Sequence, residues 1–195
     1  MTKRIGRDRR LVPIPEELVQ SLLKGASREG KPLNQFVEDA LRLVLNSLSM
    51  GYSYQELARV LETVQTQKAS GMTLVPVQVL KYLESKVYPV EPEALQTEWF
   101  KAGLWYGKYL KEKFSKPAEV LAELLEVTRW ELDEVDVKEE SSAVKFRCVS
   151  AILSLEETLF LKKFVEGSMQ GLGYKLIKED LVKGIIFLEF KAEAE

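Results

Sequence analysis

Five basic side chains crowd the first ten residues: Lys3, Arg4, Arg7, Arg9 and Arg10 stand against the single acid Asp8. The excess is local. Residues 1–50 hold nine basic and six acidic side chains, the remainder holds nineteen and twenty-four, and the whole chain carries a net charge of −2. A basic arm on an otherwise acidic chain suits phosphate contacts at one end, with a solvated tail as the plain alternative. Other chemistry is scarce. The 195 residues include no histidine, which removes the commonest general base, metal ligand and pH switch. Cys148 is the only cysteine, so neither an intrachain disulfide nor a thiolate metal cluster can form. A phosphate-binding loop, a dinucleotide glycine fingerprint and a nucleophile elbow are all absent. No catalytic residues, metal ligands or cofactors are therefore expected, and an enzyme is disfavoured. The acids Glu131, Asp133, Glu134, Asp136, Glu139 and Glu140 could hold a hard cation, but such a run more often lines a solvated strand edge. Cys148 alternates with Val144 and Phe146, which marks a buried small hydrophobe rather than a redox sensor.

These groups must be positioned by a fold. With 46% hydrophobic and 30% charged residues the composition is that of a globular chain, long enough for one medium domain or two small ones. The longest near-continuous apolar run, around Ile185 to Leu188, is far short of a membrane span. The basic N-terminus is not followed by the apolar stretch and cleavage site of a secretion signal, so cytoplasm is the expected location. Two asparagines, Asn34 and Asn46, beside abundant lysine and glutamate point to a thermophile.

The first fifty residues predict strand, helix, turn, helix. Arg9 to Ile14 is short and partly β-branched. Pro15 then stands where a helix starts, and Glu16 and Glu17 complement its dipole. Leu18, Val19, Leu22, Leu23 and Ala26 form an apolar stripe, and Gly30 stops the helix. After Lys31-Pro32 a second helix is expected from about Leu33 to Leu48, with Phe36, Val37, Ala40, Leu41, Val44, Leu45 and Leu48 on a broad apolar face. Two short helices and a strand cannot bury those stripes alone, so the unit needs a partner.

The run "LVPIPEELVQSLLKGASREGKPLNQFVEDALRLVL" resembles the ribbon-helix-helix superfamily of Arc, MetJ and CopG-type repressors. The matching features are Ile14 with Pro15-Glu16-Glu17-Leu18 at the strand-to-helix junction, the Gly30-Lys31-x-Leu33-Asn34 turn, and the apolar helix from Phe36. The resemblance covers about a quarter of the chain. It implies a homodimer through residues 9–48 whose paired strands lie in the major groove of double-stranded DNA. Val12 and Ile14 would then face the dimer core, and Arg9, Leu11 and Pro13 the DNA. It further implies that Lys31 and Asn34 anchor the DNA backbone, with a phosphate at the free N–H groups near Leu33 and Asn34. Two departures stand out. Leu11 and Pro13 offer only apolar contacts, and Pro32 replaces the usual hydroxyl before the second helix. Base reading then falls mostly to Arg9, helped by Arg10 and Arg7. An antitoxin-like or adaptor protein, using the same fold for dimerisation and protein–protein contact, is the alternative.

Beyond Gly51, Ser53-x-x-Glu56 reads as a capping box for a third helix striped by Leu57, Val60, Leu61 and Val64. Residues 1–50 are thus a DNA-binding domain, 51–72 a helical connector, and 73–195 an α+β sensor or oligomerisation domain. In the last, helices are expected from Pro76, from Pro92 to Phe114, and from Lys116-Pro117. Extended chain is expected around Trp130 and Leu132 and then Val135 and Val137, with a bulge or a break between the two pairs, and a strand over Val144 to Cys148. Ser154-x-x-Glu157 caps another helix, which Gly167, Gly171 and Gly173 close. A hairpin turning at Lys183-Gly184 ends the chain. The fold class is α+β, an antiparallel sheet with flanking helices.

This half is similar to the four-vinyl-reductase-type small-molecule-binding domain. The likeness rests on Gly103-x-x-x-Gly107 and the run "FVEGSMQGLGYKLIKEDLVKGIIFLEF". It implies a pocket for a small apolar ligand between the sheet and the glycine-bearing helices, lined by Trp99, Gly103, Trp105, Tyr106, Gly107, Phe164 and Gly167. The closing hairpin lacks cysteines, which implies a metal-free variant. The alternative is that these aromatics are ordinary core.

Overall fold

A computed structural model of the chain describes residues 11–140 and 143–193. Among them the elements run α1 (Glu16–Arg28), α2 (Leu33–Ser49), α3 (Tyr54–Ala69), α4 (Val77–Val87), α5 (Pro92–Lys113), α6 (Pro117–Thr128), β1 (Glu134–Glu140), β2 (Ala143–Val149), α7 (Leu155–Leu172), β3 (Tyr174–Val182) and β4 (Ile185–Ala192). The α+β class follows. The chain divides into two compact units, Met1–Ala58 and Arg59–Glu195, so the boundary falls inside α3, within the segment expected to be a connector.

In the first unit α1 and α2 form a hairpin. Pro15 precedes α1 and two acids occupy its first turn. Gly30 ends it at φ 64°, a left-handed conformation that lets the Lys31 N–H return to the Ala26 carbonyl at 3.0 Å. The Phe36 ring lies over Gly25 so closely that a Cβ there would stand 2.8 Å from its tip. Yet among residues 11–58 only Ala26 and Ser47 are buried. Of the strand expected from Arg9 to Ile14, Arg9 and Arg10 lie outside the described residues, and Leu11 to Ile14 has no regular structure and joins no sheet among the described residues. A single extended segment forms no ladder without a partner strand.

In the second unit the sheet is antiparallel in the order β1-β2-β4-β3. Alternation sends Val144, Phe146 and Cys148 of β2, and Ile186, Leu188 and Phe190 of β4, to one buried face. They pack in one core with Leu121, Leu124 and Leu125 of α6 and with Leu161, Val165 and Met169 of α7. The Ser154 hydroxyl accepts from the Glu157 N–H while Glu157 accepts from the Ser154 N–H, so the capping box of α7 is complete. Two expectations are corrected. Trp130 and Leu132 lie in a turn ahead of β1, where Leu132 N–H bonds the Arg129 carbonyl at 2.9 Å. Gly167 and Gly171 sit inside α7 rather than closing it, and Gly173 alone is the left-handed cap.

The interior glycines explain how α5 and α7 approach. A Cβ on Gly103 would lie 2.1 Å from the Phe164 carbonyl oxygen, and one on Gly107 2.0 Å from that of Ser168. The relation is reciprocal: a Cβ on Gly167 would lie 2.1 Å from the Phe100 carbonyl oxygen, and one on Gly171 2.5 Å from that of Leu104. Two glycines on each helix thus place backbone against backbone.

Candidate functional site

The proposed DNA-reading residues Lys3, Arg4, Arg7, Arg9 and Arg10 lie outside the described residues. Leu11 is fully exposed, and Pro13 and Asn34 are also exposed, while Leu33 is half-buried. At the start of α2 no side chain caps the helix, and its first bond runs from the Phe36 N–H to the Pro32 carbonyl at 3.0 Å. The N–H groups before it point along the helix axis, where an anion is favoured. The expected helper is preoccupied. Lys31 Nζ lies 2.9 Å from Glu29 and 3.0 Å from Asp39, and bonding to these two carboxylates raises its pKa. A phosphate there would have to compete with two acids for the ammonium.

The expected pocket is not where the glycines stand. The space above Gly103, Gly107 and Gly167 is filled by the backbone of the facing helix, so none of the three opens onto a cavity. Trp105 is 63% exposed, and its indole N–H reaches the Ser70 carbonyl at 3.3 Å. The other three residues do meet. Trp99 stands edge-on to Phe164 with ring centroids 6.4 Å apart, and Tyr106 lies 6.0 Å from Phe164. Two rings not assigned to the site join them: Phe160 stacks on Trp99 at 6.1 Å, and Tyr88 meets Phe160 edge-on at 5.5 Å. Phe160 precedes Phe164 by one helical turn, a spacing visible in the sequence; Tyr88 arrives from another helix. Tyr106 is buried, and its hydroxyl has no hydrogen-bond partner among the described residues. Burial raises this phenol above its ordinary pKa. An open cleft of about 420 Å³ lies between α5 and α7, lined by Glu93, Gln96, Thr97, Phe100, Lys163 and Glu166, and its polar walls do not suit an apolar ligand.

Four of the six acids in the run around β1 are ion-paired. Glu131 pairs with Arg129, Glu134 with Arg147 at 3.1 Å, Asp136 with Lys138 at 3.3 Å, and Glu140 with Lys145. Asp133 accepts the Ala151 N–H at 2.7 Å. Cys148 is 1% exposed, and burial pushes its thiol up to about 12, which suppresses the nucleophilic thiolate.

No family model matches the chain, and no curated protein matches it. A solved structure described as "Modulating Heme Redox Potential Through Protein-Induced Porphyrin Distortion" is similar over 70% of this chain and 96% of its own, at 12% identity and a TM-score of 0.37. A likeness of that order establishes neither a shared fold nor a shared ligand. No helix among the described residues is long and apolar enough to cross a membrane.

Proposed function

We propose that the chain is a non-enzymatic, homodimeric DNA-binding transcriptional regulator of the ribbon-helix-helix kind, with a second domain that binds a small apolar ligand. One observation carries the reading: in a single copy the first unit leaves its apolar residues in water. Leu18 is 54% exposed, Leu41 60%, Leu45 63% and Leu48 53%. Covering one leucine stabilises by about 1.5–3 kcal/mol, so a second copy laid against these stripes is strongly favoured. Pairing two copies would also give the assembly two basic arms, doubling the positive charge available to a duplex. The glycine stretch of the α5–α7 seam is closed by backbone contact, so a ligand for the second domain would have to sit elsewhere. The arm is tested by its counterions. Replacing Arg9 and Arg10 with alanine is expected to weaken duplex binding and to reduce the slope of log K against log salt by about 2 per protomer if each makes a phosphate contact. An unchanged slope removes the arm from the mechanism and favours the adaptor reading.

A further inference from the structure

Within the second unit, α4 contributes no buried residue. Two side-chain contacts tie it down. Lys81 Nζ pairs with Glu157 of α7 at 2.9 Å, and the Tyr88 ring at its end meets Phe160. Glu84 lies between these contacts on the same helical face. Its carboxyl is partly buried and, among the described residues, makes no hydrogen bond or ion pair. The charges facing it are Glu157 from α7, Arg129 and Glu131 from the turn after α6, and Lys81 on α4 itself. Lys81 is taken by Glu157, and Arg129 by Glu131. Three carboxylates therefore share two cations, and the cluster is balanced only while one carboxyl keeps its proton.

We infer that α4 is a proton-dependent latch, seated on the N-terminal end of α7 while the Glu84 carboxyl is neutral and lifted as that carboxyl ionises. Desolvation, aided by the charge on Glu157, pushes Glu84 up to about 7 against the pull of Arg129 and Lys81. On a lifted helix it returns to the ordinary carboxylate range. The seated state binds the proton more tightly, so its advantage is full below the ordinary carboxylate pKa and is lost as pH rises through about 7. Lifting takes Tyr88 off Phe160, which also stacks on Trp99, and so uncovers part of the aromatic cluster. The inference stands whether or not the first unit binds DNA.

Hydrogen exchange on the full chain tests it, with rates corrected for the intrinsic effect of pH. Between about pH 6 and about pH 8.5, opening of the α4 amides is expected to rise about tenfold while those of α5 and α7 stay protected. In Glu84→Gln the α4 amides should keep their low-pH protection at both values. A wild-type α4 whose opening ignores pH, or a pH response that survives in E84Q, overturns the latch. A carbon-13 titration of the Glu84 carboxyl provides a check without substitution: a midpoint near 7 supports the latch, and one in the ordinary carboxylate range overturns it.

Discussion

Tyr106 places a hydroxyl in the core with nothing to bond. Leaving such a group unsatisfied costs about 1–3 kcal/mol, whereas the ring itself packs against Phe164 and stays useful. Tyr106→Phe is therefore expected to hold or raise stability, by up to about 1 kcal/mol or roughly 2–4 °C in melting temperature. A loss of comparable size would mean that the hydroxyl has a partner. The buried Lys162 shows the opposite solution. Burial alone would lower its pKa, but bonds to Glu179 at 2.7 Å and Glu166 at 2.9 Å overcome that and raise it. One acid comes from its own helix and one from β3. Residue types alone showed where charge and aromatic bulk would lie. They did not show that Lys31 is held by Glu29 and Asp39, because those contacts depend on how the turn at Gly30 folds back.

At the scale of elements, the α5–α7 seam is the most demanding feature. Its glycines face backbone oxygens, which cannot swing aside as the end of a side chain can. Gly107→Ala would force the helices apart and is expected to cost about 3 kcal/mol or more, read as a lower denaturant midpoint at unchanged m. A loss within about 0.5 kcal/mol would show that the seam can relax. The same glycines mark where sequence reading stopped short. The start of α7 was legible because Ser154 and Glu157 are neighbours and their capping bonds are local. Gly167 and Gly171 carry the local chemistry of a helix end, and only the facing α5, distant in sequence, makes them interior positions. The helices with proline starts and the closing hairpin were legible for similar local reasons. Trp130 and Leu132 were misplaced because turn and strand differ there by long-range pairing: Asp133 N–H meets the Val149 carbonyl, and β1 begins after it. Of the seven expected pocket residues, Trp99, Tyr106 and Phe164 come together, while the three glycines and Trp105 are used otherwise.

For the whole molecule, the two units bury their apolar residues to very different degrees. The second has a continuous core of its own. The first keeps two buried positions and a run of exposed leucines, and it carries the basic arm. Exposed apolar residues and the excess of basic charge thus fall on the same fifty residues, and the proposed two-fold pair would make use of both. The direct measurement is selection of bound sequences from random duplexes at physiological salt, with the full-length chain as bait. A dimer reading the major groove through two symmetric strands is expected to enrich a motif made of two related half-sites. Recovery of duplexes with no shared motif would contradict sequence-specific regulation by this chain.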